Sequence, residues 1–391
     1  MKVTSAKLLP YKLRFSKPIH TAAGVFVDRE GTILRLESDD GYIGYGDAAS
    51  WPGFGSSLPT VRQAMENVFV KAQALSERDF RGLKDVSAFL AEWLSLPVEA
   101  MHAADLALLD LLAQRVRKSV AELLTAEPRE VISVHALVSD AVSAKDMVKQ
   151  GSRSLKMKMG TQPLAEDVTR VGAVRAAVGR DVDLRLDANG AWSRDEALRA
   201  VSALAGFGVA WLEEPVKREG NANHLQELAE VHEAAKVAGV PIAVDESAQT
   251  LKDLDAVIEA KAADVLVIKP MFAGGLLAAL EMHRKAREVR MSAIVTHTME
   301  SAVGRVGAMH LAAALAGHLS ACGLANPLAE DVASSPSSSG GWVEVPNMPG
   351  LGLHLSAWIA KEAALRPPSN SSGASGGAAS GSSSESGKSK R

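Results

Sequence analysis

The sequence predicts an α/β protein in which a closed β/α barrel follows a separate α+β domain. Three observations support this prediction. Polar and apolar residues alternate near the N-terminus, helical periodicity extends from residue 60 to about 124, and eight short β-rich runs alternate with helix-sized segments from Val131 onward. Eight regularly spaced units favour a closed barrel over the competing fold, a doubly wound open sheet.

The first part of the chain has the pattern of an antiparallel sheet followed by helices. Residues 2–15 alternate, and the runs 32–37 and 42–47 flank an Asp-Asp-Gly turn at 39–41. An Asp-Gly step between alternating runs is typical of a hairpin, because glycine tolerates a positive φ. The stretch 101–115, MHAADLALLDLLAQR, is the clearest amphipathic helix. Strands followed by segregated helices indicate an α+β domain over residues 1–125.

The second part, residues 126–325, is predicted to form the barrel. Its strand candidates are VISVHALV (131–138), SLKMKMG (154–160), VDLRLDAN (182–189), VAWLEEP (209–215), PIAVDES (241–247), DVLVIKP (264–270), SAIVTHTM (292–299) and LSACGLA (319–325). In such barrels the active site lies at the C-terminal ends of the strands. Residues 326–366, with a strand-like run and an apolar helix, are expected to pack back on the first domain. The Ser- and Gly-rich segment 367–391 is predicted to be disordered.

Composition excludes several classes of protein. The 391 residues are 47% hydrophobic and carry a formal net charge of −3, which argues against a disordered chain and against a nucleic-acid binder held by phosphates. The most apolar stretch, 306–324, is interrupted by His310 and His318, so it predicts a buried helix and strand and no membrane span. The single cysteine, Cys322, excludes an internal disulfide and is expected to be buried. No signal-peptide core begins the sequence, so we expect a cytoplasmic protein.

Acidic residues end three successive predicted strands. Asp187, Glu213 and Asp245 are 26 and 32 residues apart, about one β/α unit each, so their carboxylates should converge above the barrel. Three hard oxygen ligands with open positions suit Mg²⁺. The alternative is that each acid caps the following helix. Strand alternation lets only one of Glu213 and Glu214 face the metal.

Lysines lie on both sides of this acidic set. Lys156 and Lys158 share one strand face, while Lys269 ends the sixth run. A lysine acts as a base near neutral pH only if its pKa is depressed, and nearby cations together with desolvation act in that direction. Concentrated positive charge would stabilise the anion formed when a proton is removed next to a carboxylate. The pattern therefore predicts proton abstraction α to a carboxylate.

At these residues the sequence resembles the enolase superfamily, and within it the muconate-lactonizing subgroup. The matching motifs are Lys-Met-Lys at 156–158, Asp-Ala-Asn at 187–189, Glu-Glu-Pro at 213–215, Asp-Glu-Ser at 245–247 and Lys-Pro at 269–270. Over residues 1–360 the resemblance implies a modified (β/α)7β TIM-type barrel, with an N-terminal α+β capping domain completed by C-terminal residues.

The resemblance also implies a role for each residue of these motifs. Asp187, Glu213 and Asp245 would bind Mg²⁺, with Mn²⁺ as a substitute. Lys158 would be the acid/base on one face of the substrate with Lys156 supporting it, and Lys269 would face the opposite side.

Within the subgroup the chain is most similar to the o-succinylbenzoate synthases. Four stretches carry this similarity: GYGDAASWPGFG (44–55), VIKPMFAGG (267–275), THTMESAVGR (296–305) and CGLANPLAEDV (322–332). The similarity implies a Mg²⁺-dependent lyase of menaquinone biosynthesis, which dehydrates a 2-hydroxy-6-succinyl-cyclohexadiene-carboxylate through an enediolate. Lys158 would take the α-proton and then protonate the departing hydroxyl on the same face, while Lys269 stabilises charge.

An alternative activity uses the same two lysines. In an N-acylamino acid racemase or dipeptide epimerase, Lys158 and Lys269 would exchange protons on opposite faces. Dipeptide epimerases carry an Asp-x-Asp pair after the last strand to hold the substrate ammonium, whereas residues 323–327 here are Gly-Leu-Ala-Asn-Pro. Further alternatives are a muconate-type cycloisomerase and a non-catalytic scaffold, although a scaffold would be expected to lose at least one of the six residues.

Substrate contacts are expected from loops around the barrel mouth. The cap loops at 21–25 and 50–55 would fold over it, and Trp51 and Phe54 would either shield the site from water or pack the interdomain seam. Other candidates for substrate contact are Asn189, Gly274, Thr298 and Ser301. Gly274 could equally begin a helix, and Ser301 could equally cap one. His297 has no evident Asp partner and is expected to line the pocket or be structural.

The expected partner is a small-molecule carboxylate substrate, with neither nucleic acid nor membrane involved. The sequence leaves a homo-oligomer open.

Overall fold

The computed structural model describes residues 1–21, 24–52, 54–71 and 73–365. The predicted disordered tail, 367–391, and part of the predicted cap loop at 21–25 lie outside these ranges. The chain divides into two compact units, Met1–His354 and Leu355–Arg391. None of the helices in the described ranges is long and apolar enough to cross a membrane.

The N-terminal strands form the predicted antiparallel sheet. Its three strands, in the order β1-β2-β3, are β1 (Val3–Thr21), β2 (Gly24–Ser38) and β3 (Ile43–Ala48). The Asp-Asp-Gly turn lies between β2 and β3, where Gly41 has a φ of +85° and its N–H donates to the Ser38 carbonyl at 3.1 Å. This positive φ explains why glycine stands at the turn.

The longest helix of the first domain packs on this sheet, and the other α-helices of the domain pack on that helix. The helices are α1 (Leu58–Met65), which continues into a π-helical turn (Glu66–Lys71), α2 (Leu83–Ala91), α3 (Val98–Arg115) and α4 (Val120–Leu124). The prediction that α3 is amphipathic is wrong, because it is buried on nearly all sides. One side lies directly on β3, where a Cβ at Gly46 would be 1.8 Å from the Ala103 carbonyl oxygen. From another side, Leu276 of the barrel donates its N–H to Asp105.

The strands from Val131 to Val295 are β4 (Val131–Ser133), β5 (Ala136–Val138), β6 (Ser154–Lys158), β7 (Asp183–Asp187), β8 (Trp211–Glu213), β9 (Ile242–Val244), β10 (Val265–Ile268) and β11 (Ser292–Val295). Within the described part of the chain, seven of them form the parallel barrel sheet, in the order β11-β10-β9-β8-β7-β6-β5. The first predicted run is therefore split, because β4 pairs antiparallel with a late strand, β12 (Trp342–Glu344).

The eighth predicted run closes the barrel through two bridges. Cys322 pairs in parallel with Val134, and Gly323 pairs in parallel with Thr296, so residues 322–323 join the two edges of the sheet. Cys322 is fully buried, as predicted, and burial raises the pKa of its thiol to about 11. The modified barrel is thus confirmed, with an eighth element much shorter than the predicted run.

Helices follow the barrel strands in alternation. They are α5 (Ala141–Lys149), α6 (Leu164–Val178), α7 (Arg194–Leu204), α8 (His224–Ala238), α9 (Leu251–Ala260), α10 (Pro270–Ala273), α11 (Leu276–Glu288) and α12 (Ala302–Ala314). Capping boxes define the N-terminal ends of several of these helices. At α7, for example, the Ser193 hydroxyl accepts the Glu196 N–H, and the Glu196 carboxylate accepts the Ser193 N–H. All residues of α12 are buried, in agreement with the predicted buried helix.

Residues after the barrel return to the first domain. Leu328 bridges Phe15 of β1, and Leu351 donates its N–H to Asp110 of α3 at 2.9 Å. These contacts belong to the first unit, and the full packing proposed for 326–366 stays a prediction. The described part of the second unit contains α13 (Ser356–Leu365), which matches the predicted apolar helix.

Candidate active site

Three buried carboxylates lie side by side at the C-terminal edge of the barrel sheet. Asp187 ends β7 and pairs in register with Glu213, which ends β8; Asp245 directly follows β9. Their residues are 4%, 0% and 4% exposed. The parallel register places consecutive strand ends together, so the structure assembles the acids that the sequence predicted to converge.

Two of the predicted lysines contact this carboxylate cluster. Lys156 Nζ lies 2.8 Å from Asp187 Oδ2 and 2.7 Å from Glu213 Oε1. Lys269 Nζ lies 2.5 Å from Asp245 Oδ2, at the opposite side of the cluster. Lys158 is exposed at the end of β6; its carbonyl accepts from Arg170 at 2.7 Å, but no hydrogen bond or ion pair joins its ammonium group to a described residue.

The charges of the cluster act strongly on one another. Burial tends to lower the pKa of Lys156, but the carboxylates of Asp187, Glu213 and Asp245 outweigh burial and raise it. Burial and the neighbouring Asp187 raise the pKa of Glu213 to about 8. Lys156 is therefore held as a cation, and the carboxylates remain crowded enough to favour a further positive charge.

The donor set fits a hard divalent cation. Glu213 Oε2 and Asp245 Oδ1 are buried and have no hydrogen-bond partner among the described residues. Within that same part of the chain, no three acidic, imidazole or thiol groups form a ready metal cage. Lys156 instead lies between Asp187 and Glu213. Unpartnered carboxylate oxygens at adjacent strand ends are what Mg²⁺ prefers as ligands.

Glu214 points away from the cluster, as strand alternation requires of one member of the pair. It has a φ of +43°, and its carboxylate accepts the N–H of Asp245 at 3.0 Å and of Ser247 at 3.2 Å, together with the Ser247 hydroxyl. Glu214 thus fixes the loop that carries Asp245 and does not compete with Glu213.

His297 has a neutral, structural environment. Its Nδ1 accepts the Met299 N–H at 2.8 Å, so Nε2 carries the proton and donates to the Ala325 carbonyl at 2.8 Å. Burial, together with Arg305, lowers the pKa of His297 to about 3. Both ring nitrogens are occupied within the protein, which agrees with the structural role expected for this residue.

The two aromatic residues of the cap loop lie in different places. Phe54 lies at the site: its ring centroid is 4.3 Å from Lys269 Nζ and 5.2 Å from the Phe272 ring. Trp51 is buried within the cap against Phe15 and Phe26. Phe54 therefore covers Lys269, whereas Trp51 mainly packs the cap.

Four other predicted contact residues mostly have partners within the protein. Asn189 donates its side chain to Glu246 Oε1 at 3.2 Å, and Gly274 ends α10 with a φ of +88°. Ser301 caps α12 and donates to Asp47 at 2.6 Å, which is the capping role left open by the sequence. Thr298 is buried, and its hydroxyl oxygen has no hydrogen-bond partner among the described residues. Substrate contact by these residues stays a prediction.

A buried polar network that was not predicted from the sequence joins the cap to the loop after β11. Asp47 is fully buried, and its carboxylate accepts hydrogen bonds from the Tyr11 hydroxyl, the Ser301 hydroxyl and the Ser301 N–H. Burial raises the pKa of Asp47 to about 6 and that of Glu300 to about 7. The sequence contained one signal for this network: Asp47 lies at a core-facing position of β3. Strand alternation alone could have identified it as a buried acid.

Comparison with known proteins identifies the family of both domains. The family model for the mandelate racemase / muconate lactonizing enzyme N-terminal domain matches residues 4–125, and the enolase C-terminal domain-like model matches residues 139–358. These two ranges cover the cap and the barrel described above.

Similar proteins catalyse several reactions. The chain is 29% identical to an L-Ala-D/L-Glu epimerase of Bacillus subtilis (strain 168), over 93% of this chain and 99% of that protein. It is 26% identical to an N-succinyl-L-Arg/Lys racemase of Bacillus cereus, over 80% of this chain and 84% of that protein. An o-succinylbenzoate synthase of Thermobifida fusca is 37% identical, but over 50% of this chain and 60% of that protein.

Solved structures include a near match with a bound metal. A dipeptide epimerase of Enterococcus faecalis V583, complexed with Mg and the dipeptide L-Leu-L-Tyr, has a TM-score of 0.80 and 25% identity, covering 90% of this chain and 99% of that one. Together the comparisons favour the epimerase and racemase alternative over the dehydratase as the main interpretation, and a lyase class is not established by them.

Proposed function

Because this chain belongs to the enolase superfamily and has lysines on two sides of a buried carboxylate cluster, we propose that it is a Mg²⁺-dependent racemase or epimerase. Its substrate would be an N-acylamino acid or a dipeptide, whose α-carbon would lose and regain a proton. The observation that carries the proposal is the flanking arrangement: β6 with Lys158 and β10 with Lys269 lie on either side of β7, β8 and β9.

Each residue then has a defined part. Lys158, free of ion pairs among the described residues, takes or returns the proton on one face of the α-carbon. Lys269 does the same on the other face, so the configuration is inverted. Lys156, held by Asp187 and Glu213, stays cationic and stabilises negative charge nearby. Mg²⁺ bound by Asp187, Glu213 and Asp245 would stabilise the charge that develops on the substrate carboxylate.

An N-acyl group without an ammonium suits this chain better than a dipeptide, because the ammonium on the N-terminal residue of a dipeptide would need a counter-charge next to the last barrel element. Residues 323–327 contain no acidic side chain that could pair with an ammonium group there. An uncharged acyl group needs no counter-charge, whereas leaving a charged ammonium without one would weaken binding. We therefore rank N-acylamino acids above dipeptides.

Dehydration to o-succinylbenzoate is the second candidate. It is supported by the 37% identity to the Thermobifida fusca enzyme over 202 residues. The same Lys158 would serve it, because both reactions begin with removal of an α-proton.

One experiment separates the two activities. The protein with Mg²⁺ is incubated in D₂O with enantiopure N-acylamino acids and dipeptides, while NMR follows the α-proton and polarimetry follows the configuration. We expect exchange coupled to racemisation for at least one compound. Conversion of the cyclohexadienol substrate to o-succinylbenzoate, without α-proton exchange in any amino-acid compound, would overturn the proposal.

A further inference from the structure

A cavity of about 340 Å³ opens at the base of the barrel, at the end opposite the candidate active site. Ser154 and Asp183, the first residues of β6 and β7, line it, whereas the carboxylate cluster lies at the other end of the barrel strands. Val131 and Trp342, from the paired strands β4 and β12, line another side. The proposed function uses none of these residues, so it does not account for the cavity.

Two buried polar side chains at this cavity lack hydrogen-bond partners. Ser154 is 4% exposed, and its hydroxyl has no partner among the described residues. Arg185 is fully buried and contacts two residues that line the cavity: its Nη1 donates to the Ala321 carbonyl, and its Nη2 lies 3.9 Å from Asp183 Oδ2, beyond hydrogen-bond distance. Leaving such groups without a partner costs free energy, which a bound acceptor would recover.

The free edge of Arg185 has the geometry that binds a carboxylate. Its Nε and Nη2 are buried and have no hydrogen-bond partner among the described residues. These two nitrogens form one side of the planar guanidinium, from which two parallel N–H groups can bind both oxygens of a carboxylate. The group is held in place, because its Cζ lies 4.0 Å from the Trp211 ring centroid and its Nη1 lies 3.1 Å from His135 Nδ1.

Positive charge exceeds negative charge around the cavity. Arg129 and Arg153 line it, and both donate to backbone carbonyls without an ion pair to any described carboxylate. Asp183 is the acidic residue among those that line the cavity, and its side chain is 60% exposed. With the buried Arg185 behind it, the cavity therefore has three guanidinium groups against one carboxylate, which favours an anion.

One wall of the cavity is apolar. Trp342 and Val131 are 53% and 43% exposed, although they line a concave surface. They lie on the same face of the two-stranded sheet, because Trp342 pairs with Ser133, two positions after Val131. Exposed apolar side chains in a concave site commonly mark a ligand-binding surface.

We propose that this cavity is a ligand site, separate from the candidate active site, for a small organic carboxylate. The carboxylate oxygens accept hydrogen bonds from Arg185 and Ser154, and Arg129 and Arg153 add positive charge at the rim. The apolar group of the ligand packs on Trp342. This inference does not depend on the proposed function.

Isothermal titration calorimetry on the whole chain with Mg²⁺ tests the inference. Phenylacetate is the anionic probe, and benzylamine is a cation of similar size. We expect phenylacetate to bind with a dissociation constant of about a millimolar, and benzylamine to bind at least about tenfold more weakly, because only the carboxylate can pair with the arginines. Equal affinity for the two probes, or no binding of phenylacetate at about ten times that concentration, would overturn the inference.

A variant pair assigns the binding to the cavity. Arg153→Ala removes an exposed arginine of the rim and should weaken phenylacetate binding about fivefold. Arg199→Ala is the matched control, since Arg199 is also exposed but lies on α7 and does not line the cavity. Trp342→Ala should weaken binding by a similar factor through loss of the apolar contact. Equal effects of the two arginine variants would mean that the overall charge attracts the anion and that the cavity does not bind it.

Two further variants separate this cavity from the barrel mouth. Asp245→Asn changes the carboxylate cluster at the opposite end and should leave phenylacetate binding unchanged. Asp183→Asn removes the like charge beside the ligand and should strengthen binding about threefold. Loss of binding in Asp245→Asn, together with full binding in Arg153→Ala, would place the anion at the barrel mouth and contradict the inference.

Discussion

Burial separates the roles of two lysines that are only two positions apart. Lys156 is fixed between Asp187 and Glu213, whereas the Lys158 ammonium group, at the exposed end of the same strand, has no hydrogen bond or ion pair with the described residues. An exposed ammonium group can exchange its proton with substrate and solvent, whereas one fixed between two carboxylates is held as a cation. Under the proposed function, Lys158 would therefore transfer the proton and Lys156 would support it.

Replacing either lysine that we propose to transfer protons, Lys158 or Lys269, should strongly reduce inversion but leave part of the exchange. In Lys269→Met, Lys158 still removes the proton from one enantiomer and returns solvent deuterium to the same face. Lys158→Met should show the mirror-image preference. We expect racemisation to fall about a thousandfold in each variant, measured by polarimetry beside NMR exchange in D₂O. Complete loss of exchange of both enantiomers in Lys158→Met, with full exchange in Lys269→Met, would indicate a single-base reaction instead.

The neighbouring acids Glu213 and Glu214 should respond differently to the same change. Glu213→Gln removes a proposed metal ligand, so activity should fall at least about a hundredfold while the fold is kept. Glu214→Ala leaves the Asp245 and Ser247 donors without their acceptor and should lower the free energy of unfolding by about 2–3 kcal/mol. Denaturant unfolding with parallel activity assays compares the two. A stable, inactive Glu214→Ala protein would contradict the structural role.

Sequence alone identified the residues whose chemistry is unusual for their position. Four charged residues end apolar runs, where charged side chains are uncommon, and the structure brings them together: Asp187, Glu213, Asp245 and Lys269. Thr298 and Ser301 lie in a loop whose path depends on Asp47, a residue far away in the chain. Periodicity carries no information on such long-range hydrogen bonds, so the link from Ser301 to Asp47 could not be derived from it.

At the scale of elements, Ser301 links the start of α12 to the cap. Its hydroxyl accepts from the Val303 N–H and donates to the buried Asp47. Ser301→Ala should lower the free energy of unfolding by about 2 kcal/mol, since both a cap and a buried hydrogen bond are lost. Ser193→Ala, at the exposed start of α7, is the control and should lower the free energy of unfolding by about 1 kcal/mol. Equal losses in the two variants, measured by chemical denaturation, would show that the bond to Asp47 contributes nothing.

Helix α3 carries a buried acid that links stability to pH. Asp105 accepts the Leu276 N–H, and burial raises its pKa to about 7, above the ordinary value near 4. The folded state then holds a proton that the unfolded state releases, so the free energy of unfolding falls as pH rises from about 4 to 7. Asp105→Asn removes this pH dependence, and between pH 5 and 8 its free energy of unfolding should be about 2–4 kcal/mol higher than that of the wild type. Unfolding curves that keep a constant difference across this range would contradict the prediction.

Element boundaries were predicted best where local pattern and tertiary role agree. In the hairpin around Gly41 and in strand β7, the local sequence pattern and the tertiary packing favour the same structure. The first barrel run failed because β4 leaves the barrel to pair with β12, more than two hundred residues away. The eighth run is reduced to bridges at 322–323, and α3 is buried on both faces. These outcomes follow from neighbours that sequence periodicity does not reveal.

At the scale of the whole molecule, one concave site combines a barrel edge that supplies charge with a cap that supplies an apolar wall. The barrel strands fix Asp187, Glu213, Asp245 and the lysines through backbone register, and the cap contributes Phe54 through an anchored loop. Under the proposed function, the barrel residues would carry out proton transfer, and the cap would cover Lys269 with Phe54.

Binding of Mg²⁺ should act on stability as well as on activity. The three carboxylates repel one another in the folded state and are separated in the unfolded chain, so a divalent cation binds the folded state preferentially. We expect millimolar Mg²⁺ to raise the melting temperature by a few degrees and EDTA to abolish exchange activity, with Mn²⁺ restoring it. Asp245→Asn should lose the shift in melting temperature. Asp183→Asn, which changes a carboxylate at the opposite end of β7, should keep it. A shift of equal size in both variants would mean that the cation binds elsewhere.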